Sequence, residues 1–128
     1  MSTQIINSQK NVFGEDLEIC SNNPLTGWFR DGCCNTDKND NGVHTVCAKV
    51  NDEFLQWLKV AGNDLITPHP EFGFEGLKNG DSWCVCANWY LMALEAGKAC
   101  PIFLKKTHEK TLKLIPFETL KKFAIDLS

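Results

Sequence analysis

The sequence predicts a single α+β domain, with a small and mainly antiparallel sheet and helices packed in two layers around a central buried helix at residues 82–96. Three observations support this prediction. The stretch from Gly80 to Gly97 is the most apolar of the chain. A run rich in Val and Thr at residues 43–50 is typical of a strand. The chain has 128 residues, 43% of them hydrophobic and 23% charged, which is enough to bury one core.

The first half of the chain is predicted to hold a tail, a long loop, a strand and a helix. Residues 1–10 are polar and are expected to form a loosely ordered tail, whereas residues 11–128 form the globular domain. Residues 14–42 are rich in Asn, Asp, Gly and Pro, which indicates a structured loop before the strand. Asn51 is expected to cap a helix that Gly62 ends, because its side chain can accept from first-turn N–H groups.

The central helix is predicted from its ends and its composition. Asp81 or Ser82 can cap its start, and Gly97 suits the left-handed residue that follows a helix. Between them only Asn88 and Glu95 are strongly polar, so one thin stripe is left for solvent. We therefore expect the other elements to cover this helix on several sides.

The segments on either side of this helix are predicted as a loop, a hairpin and a final helix. Residues 63–79 contain two prolines and two glycines and are expected to form a long ordered loop. Residues 101–106 and 111–115 are predicted to be strands of a hairpin. Pro116 is expected to begin the last helix, since proline fits the first helical turn.

Charge and hydropathy exclude two classes of partner. The net charge is -3, and the Lys-rich residues 98–128 are attached to an acidic body, so we expect no nucleic-acid partner. No apolar stretch reaches the length of a membrane span, and the N-terminus lacks the pattern of a signal peptide. We therefore expect a cytoplasmic protein without a membrane partner, whose seven cysteines remain reduced thiols.

The cysteines suggest a zinc site, but their spacing does not favour one. Cys33 and Cys34 are adjacent, and Cys84 and Cys86 are separated by one residue, so neither pair has the usual C-x2-C spacing. Buried reduced thiols are the favoured interpretation, and a cysteine-ligated zinc domain stays as an alternative. We predict neither a metal nor a cofactor.

Two other metal motifs are incomplete. Residues 37–42 match the start of a calcium-binding EF-hand loop, but Ala48 stands where the loop needs a bidentate Glu. His44, His69 and His108 are not spaced as a helical metal pair. A polar turn and structural histidines are favoured.

Several strings of the sequence, taken in order, resemble a bacterial family called domain of unknown function 2237. They are NVFG at 11–14, CSNNPLTGWFRDGCC at 20–34, HTVCAKV at 44–50, GNDLITP at 62–68, GDSWCVCANW at 80–89 and THE at 107–109. The resemblance spans residues 11–124 and implies a compact α+β fold without implying a reaction. The chain departs from the family pattern at Cys100, where proline is commoner.

The leading functional hypothesis is a binding domain with a polar pocket near thiols. Its expected partner is a small molecule or a protein, and catalytic residues are not predicted. The candidate binding residues combine polar loop residues, two histidines and two cysteines: Arg30, Asp31, Cys34, His44, Asn63, Asp64, Cys84 and His108. His108 joins this set only if the fold brings it to the loop at residues 30–31.

A thiol-dependent enzyme or redox protein is the second hypothesis. Cys84 would lie near the start of the predicted central helix, where the helix dipole stabilises a thiolate. Cys34 is the other candidate nucleophile, with Arg30 or His44 favouring the thiolate.

Overall fold

A computed structural model of the chain describes residues 9–127. Within that range it has two antiparallel strands and three α-helices, which confirms the α+β class. The elements in chain order are β1 (His44–Lys49), α1 (Asp52–Ala61), β2 (Ser82–Cys86), α2 (Ala87–Ala96) and α3 (Phe117–Lys121). Most of the predicted loose tail at 1–10 lies outside the described residues. None of the described helices has the length and apolar character that crossing a membrane requires.

Strand β1 lies at the centre of the fold. It pairs with β2, with Cys47 opposite Cys84, and the register shifts near its start. On its other edge, Lys49 N–H donates to Pro101 O (2.8 Å) and Phe103 N–H donates to Cys47 O (2.9 Å). An extended segment at residues 101–103 therefore covers the edge of β1 that β2 leaves free.

Helix α1 forms as the sequence predicts, because its signals are local. Asn51 Oδ1 accepts a hydrogen bond from Phe54 N–H (2.9 Å) at the start, and Gly62 ends the helix at φ 120°. Phe54, Leu55 and Leu58 are buried in the core. The predicted strand at residues 43–50 is likewise confirmed as β1.

The predicted central helix at residues 82–96 is wrong in its first third. Residues Ser82–Cys86 form β2, and the helix α2 occupies only Ala87–Ala96 before ending at Gly97 in the left-handed conformation. The side chains of β2 from Trp83 to Cys86 are all buried, so the strand is apolar on both faces. Such a strand shows no alternation and resembles the start of a buried helix.

Helix α2 is also not the buried hub of the fold. Only Ala87, Tyr90 and Ala93 are buried, so one face packs inward. Tyr90 donates its hydroxyl hydrogen to Cys100 O (2.6 Å), which ties the helix to the segment beside β1. Among the described residues the centre of the fold is β1, in which Val46, Cys47 and Ala48 are fully buried.

The predicted hairpin at residues 101–106 and 111–115 does not form. Leu104–Lys106 and Glu109–Lys113 are short 3₁₀ helices, and only Ile102 makes a bridge to β1, through Ala48. Thr107 and Thr111 are buried and bond to β1, so tertiary hydrogen bonds replace cross-strand pairs. The predicted final helix is confirmed as α3.

Candidate functional site

Four of the seven cysteines form two buried disulfides. Cys20 pairs with Cys47, and Cys34 pairs with Cys84. Cys47 and Cys84 face each other across the two strands, so each strand anchors one bond to the loop at residues 20–34. The prediction of reduced thiols is therefore wrong for these four residues.

The disulfides change the chemistry expected of this cluster. The sulfur atoms of Cys20, Cys34 and Cys47 lie within 4.8 Å of one another, so the cysteines converge as a ligand set would. A metal ligand must be a thiolate, and a sulfur in a disulfide is not one. Cys34 and Cys84 likewise cannot act as free nucleophiles while they are bonded to each other.

Cys33, Cys86 and Cys100 remain as free thiols. Burial raises the pKa of Cys33, and the carboxylate of Asp31 raises it further. Burial also raises the pKa of Cys100 to about 12, so this thiol is un-ionised at neutral pH. Cys86 is buried at the junction of β2 and α2, and it is the free cysteine that lines a cavity.

The larger cavity, which we call the Arg30 cleft, has a volume of about 710 Å³. One wall is the loop at residues 22–30, and the other is formed by residues 72–83. The guanidinium carbon of Arg30 lies 5.5 Å from the ring centroid of Trp83, and Phe74 packs on the same indole. Phe72 is 82% exposed at the cleft, so an apolar ring there faces solvent.

Charges of both signs line the Arg30 cleft. Arg30 and Lys78 supply cations, and Glu75 and Asp81 supply carboxylates. Arg30 Nη1 donates to Gly27 O (2.6 Å), and an arginine side chain has further N–H donors to offer a ligand. The cleft can therefore bind an anionic and a cationic group of one molecule.

The loop that carries Arg30 is held in a conformation that few residues adopt. Arg30 itself has φ 56°, in the left-handed region that non-glycine residues rarely occupy. Gly27 and Gly32 also have positive φ, and a Cβ at either would collide with Cys33 O or with Asn22 Oδ1. Close backbone packing fixes the loop, and that packing positions Arg30 on Trp83.

A second and smaller cavity, which we call the His44 cavity, has a volume of about 180 Å³. Its lining combines polar and sulfur-bearing residues with apolar ones: Gly42, His44, Asn63, Leu65, Trp83, Cys84, Val85, Cys86 and Trp89. His44 Nδ1 bonds to Asp40 Oδ1 (2.6 Å), and the imidazole stacks on the indole of Trp28.

Asp40 is a buried carboxylate that holds His44 in place. Its burial favours the neutral acid, but hydrogen bonds from His44 and Thr36 outweigh that effect and leave the pKa of Asp40 below its ordinary value. The Asp40 carboxylate is therefore ionised at neutral pH. It also accepts from His44 N–H (2.9 Å), so the ring and the backbone of His44 are both fixed.

The predicted site residues separate into groups. Arg30 lines the Arg30 cleft, whereas His44, Asn63 and Cys84 line the His44 cavity. Cys34 is bonded to Cys84 at the base of the loop. The sequence suggests that these residues share one pocket, but the structure places them in two separate cavities.

Asp31, Asp64 and His108 shape backbone segments and line neither cavity. Asp31 accepts from Cys33 N–H (3.0 Å) and Asn35 Nδ2 (2.9 Å). The hydroxyl and N–H of Thr67 lower the pKa of Asp64 to about 2. His108 Nδ1 accepts from a backbone N–H two residues on, and its Nε2 bonds Gln9 Oε1 (2.7 Å).

Three residues at or beside the two cavities do not belong to the site predicted from the sequence. Trp83 lines both, Asp40 orients His44, and Cys86 lies opposite His44 in the strand ladder. Trp83 and Cys86 were assigned to a helix, which gave no indication that they could face other loops. Asp40 belongs to the incomplete calcium motif, which the sequence predicts to be a polar turn, so Asp40 is not predicted to contact His44.

Comparison with known families agrees with the resemblance seen in the sequence. No curated protein matches the chain. A family model described as "Uncharacterized protein conserved in bacteria (DUF2237)" matches residues 10–124, which include both disulfides and both cavities. The chain therefore belongs to this bacterial family of uncharacterised proteins.

Proposed function

We propose that the protein binds a small zwitterionic molecule, such as an amino acid or a short peptide, in the Arg30 cleft. The observation that carries this proposal is the Arg30 guanidinium held over the Trp83 ring, in a cleft that also contains carboxylates. A volume of about 710 Å³ falls in the range of small-molecule pockets.

The cleft offers a partner for each part of such a ligand. The guanidinium of Arg30 matches the planar geometry of a carboxylate. Glu75 and Asp81 can accept from an ammonium group. An apolar side chain of the ligand can pack on the exposed ring of Phe72 and on Phe74, which removes apolar surface from water.

The backbone at Arg30 supports a role in binding over one in stability. A non-glycine residue in the left-handed region costs roughly 1–2 kcal/mol, and such strain is concentrated at functional sites. Glycine at this position would avoid the cost. An arginine is therefore expected there for what its side chain contacts.

Thermal unfolding with a panel of amino acids and dipeptides tests the proposal. A ligand at about 100 times its Kd stabilises the folded state by about 2.7 kcal/mol, and the melting temperature rises accordingly. In Arg30→Gly the relief of left-handed strain offsets the lost hydrogen bond to Gly27 O and the lost contact with Trp83, so the chain stays folded, but the ligand-induced rise is lost.

The matched control is Lys121→Ala, which removes an exposed cation from α3 away from the cleft and keeps the ligand-induced rise. The proposal fails if no compound in the panel raises the melting temperature. It also fails if the rise survives in Arg30→Gly. If Arg30→Ala unfolds the protein and Arg30→Gly does too, Arg30 is a structural residue.

The expected cytoplasmic location stays a prediction. The two disulfides are typical of an oxidising compartment, and they weigh against the reducing cytosol that the sequence suggests. For partners, the cleft supports a small molecule, and we propose neither a nucleic acid nor a membrane as a partner.

A further inference from the structure

We propose that Cys86 is a nucleophile that accepts a small acyl group in the His44 cavity, with His44 as its base and Asp40 as the positioning residue for His44. This site is separate from the Arg30 cleft and does not depend on the zwitterion proposal. It uses the one free thiol that lines a cavity.

The imidazole of His44 is oriented as a base requires. Its Nδ1 bonds the buried carboxylate of Asp40 at 2.6 Å, so the hydrogen lies on Nδ1 and Nε2 is left to accept a proton. Trp28 stacks on the ring with an interplanar angle of 11°. The carboxylate at the ring edge and the indole against the ring face hold the imidazole in one orientation.

Cys86 and His44 line the same cavity. The two residues are ladder partners at the point where the register of the strands shifts, so the thiol and the imidazole belong to one space. Among the described residues no hydrogen bond joins the thiol to the ring, so a reacting group or a water can lie between them. A base can act through one intervening water.

Helix α2 adds favourable electrostatics at the same point. Cys86 is the residue immediately before this ten-residue helix, whose first-turn N–H groups have no acceptors within the helix. The first of them, Ala87 N–H, donates to Val43 O (2.8 Å), so the later ones are left for a ligand. The positive end of the helix stabilises a thiolate. It also stabilises the oxyanion that forms when a thiolate attacks a carbonyl.

The lining of the cavity sets the size and the chemistry of the substrate. A volume of about 180 Å³ is well below that of drug-sized pockets, so only a short acyl group fits. The walls are apolar at Leu65, Trp83 and Trp89. Asn63 adds a polar amide group to the lining. The substrate class is an activated ester or thioester of a small acid.

The reaction balances without an external oxidant. The Cys86 sulfur attacks the carbonyl carbon and forms a C–S bond, while the bond to the leaving group breaks, at its oxygen in an ester or its sulfur in a thioester. The thiol proton passes to His44 Nε2 and then to that leaving atom. Water then attacks the thioester, His44 takes the water proton and returns it to the sulfur, and the acid is released.

The test uses p-nitrophenyl acetate with the full chain. We expect a burst of p-nitrophenolate close to one equivalent per chain, with the acetyl group located on Cys86 by peptide mass spectrometry. In Cys86→Ala the burst disappears. In His44→Asn the acylation rate falls by about 10²-fold, the size of a lost general base.

Three further variants distinguish this role from simple packing. Gly42→Ala places a methyl group 2.7 Å from His44 Cε1 and displaces the ring, so acylation slows although all three reacting residues are kept. In Asp40→Asn acylation slows, because the amide no longer holds the hydrogen on His44 Nδ1, and Asp40→Glu, which keeps a carboxylate, recovers part of the rate. A purely structural role of Asp40 would leave the acylation rate per folded chain unchanged in both variants.

The matched control is Cys33→Ala, which removes the partly exposed free thiol outside the cavity and keeps the full burst. The proposal is overturned if wild-type protein shows no burst, if the acetyl group is found on Cys33 or on lysines, or if His44→Asn acylates at the wild-type rate. Should Cys86→Ala not fold, the His44→Asn and Gly42→Ala rates decide the question.

Discussion

Replacing Cys34 by Ala removes the Cys34–Cys84 disulfide and tests how far the fold depends on it. This bond joins residues 50 positions apart, and closing a loop of that length restricts the unfolded chain by about 4.1 kcal/mol at 25 °C. The Cys20–Cys47 bond, with a separation of 27, gives about 3.6 kcal/mol. The two loops overlap in sequence, so the combined effect is smaller than the sum.

The expected shift in melting temperature follows from the chain length. Unfolding entropy of about 2.1 cal/mol/K per residue gives about 270 cal/mol/K for 128 residues. A loss of about 4 kcal/mol therefore lowers the melting temperature of Cys34→Ala by about 15 °C. The assay is thermal unfolding followed by tryptophan fluorescence, with Cys33→Ala as the control that keeps both disulfides.

Thiol counting gives the same prediction in a second form. Alkylation of denatured, unreduced protein should modify only Cys33, Cys86 and Cys100. After reduction, all seven cysteines should be modified. If all seven cysteines react without reductant, the two disulfides are absent from the folded protein. If Cys34→Ala and a reductant both leave the melting temperature unchanged, the disulfides do not stabilise the fold.

Two further predictions concern pH and helix capping. Burial lowers the pKa of His108, so the unfolded state binds more protons and the unfolding free energy should fall as the pH drops below about 6.5. His108→Asn keeps an acceptor for Lys110 N–H, and urea titrations of this variant should show a weaker dependence of the unfolding free energy on pH. An unchanged pH dependence would contradict the assignment to His108. Asn51→Ala should cost about 1 kcal/mol in the same assay by removing the acceptor for Phe54 N–H, while Asn51→Ser keeps most of the stability; equal losses in the two variants would exclude a capping role.

The elements that the sequence predicted correctly are those with local signals. Helix α1 has a capping side chain at Asn51, a glycine at its end and an apolar face of period 3.6, all within a dozen residues. Strand β1 has a turn before it and Val and Thr within it. Tertiary contacts did not need to be known for either.

The start of the central segment was assigned incorrectly because tertiary contacts decide it. Trp83 and Val85 belong to the main hydrophobic core, and Cys84 belongs to the disulfide cluster, so both faces of β2 are covered. Periodicity cannot distinguish such a strand from a buried helix. The end at Gly97 was correct, since the left-handed residue after a helix is again a local feature.

The candidate site was predicted by residue type but not by arrangement. Arg30 and His44 each line a cavity, yet the walls opposite them come from distant segments of the chain. The disulfide partners could not be assigned for the same reason, because spacing does not specify connectivity. The odd number of cysteines favours reduced thiols, whereas the structure pairs four of the seven.

Trp83 is a common wall of the Arg30 cleft and the His44 cavity. A ligand that displaces the indole from one side would change the shape of the space on the other, so we expect occupancy of one proposed site to alter the affinity of its neighbour. Thermodynamic linkage would make this effect reciprocal. Trp83 would then couple two chemically different compartments.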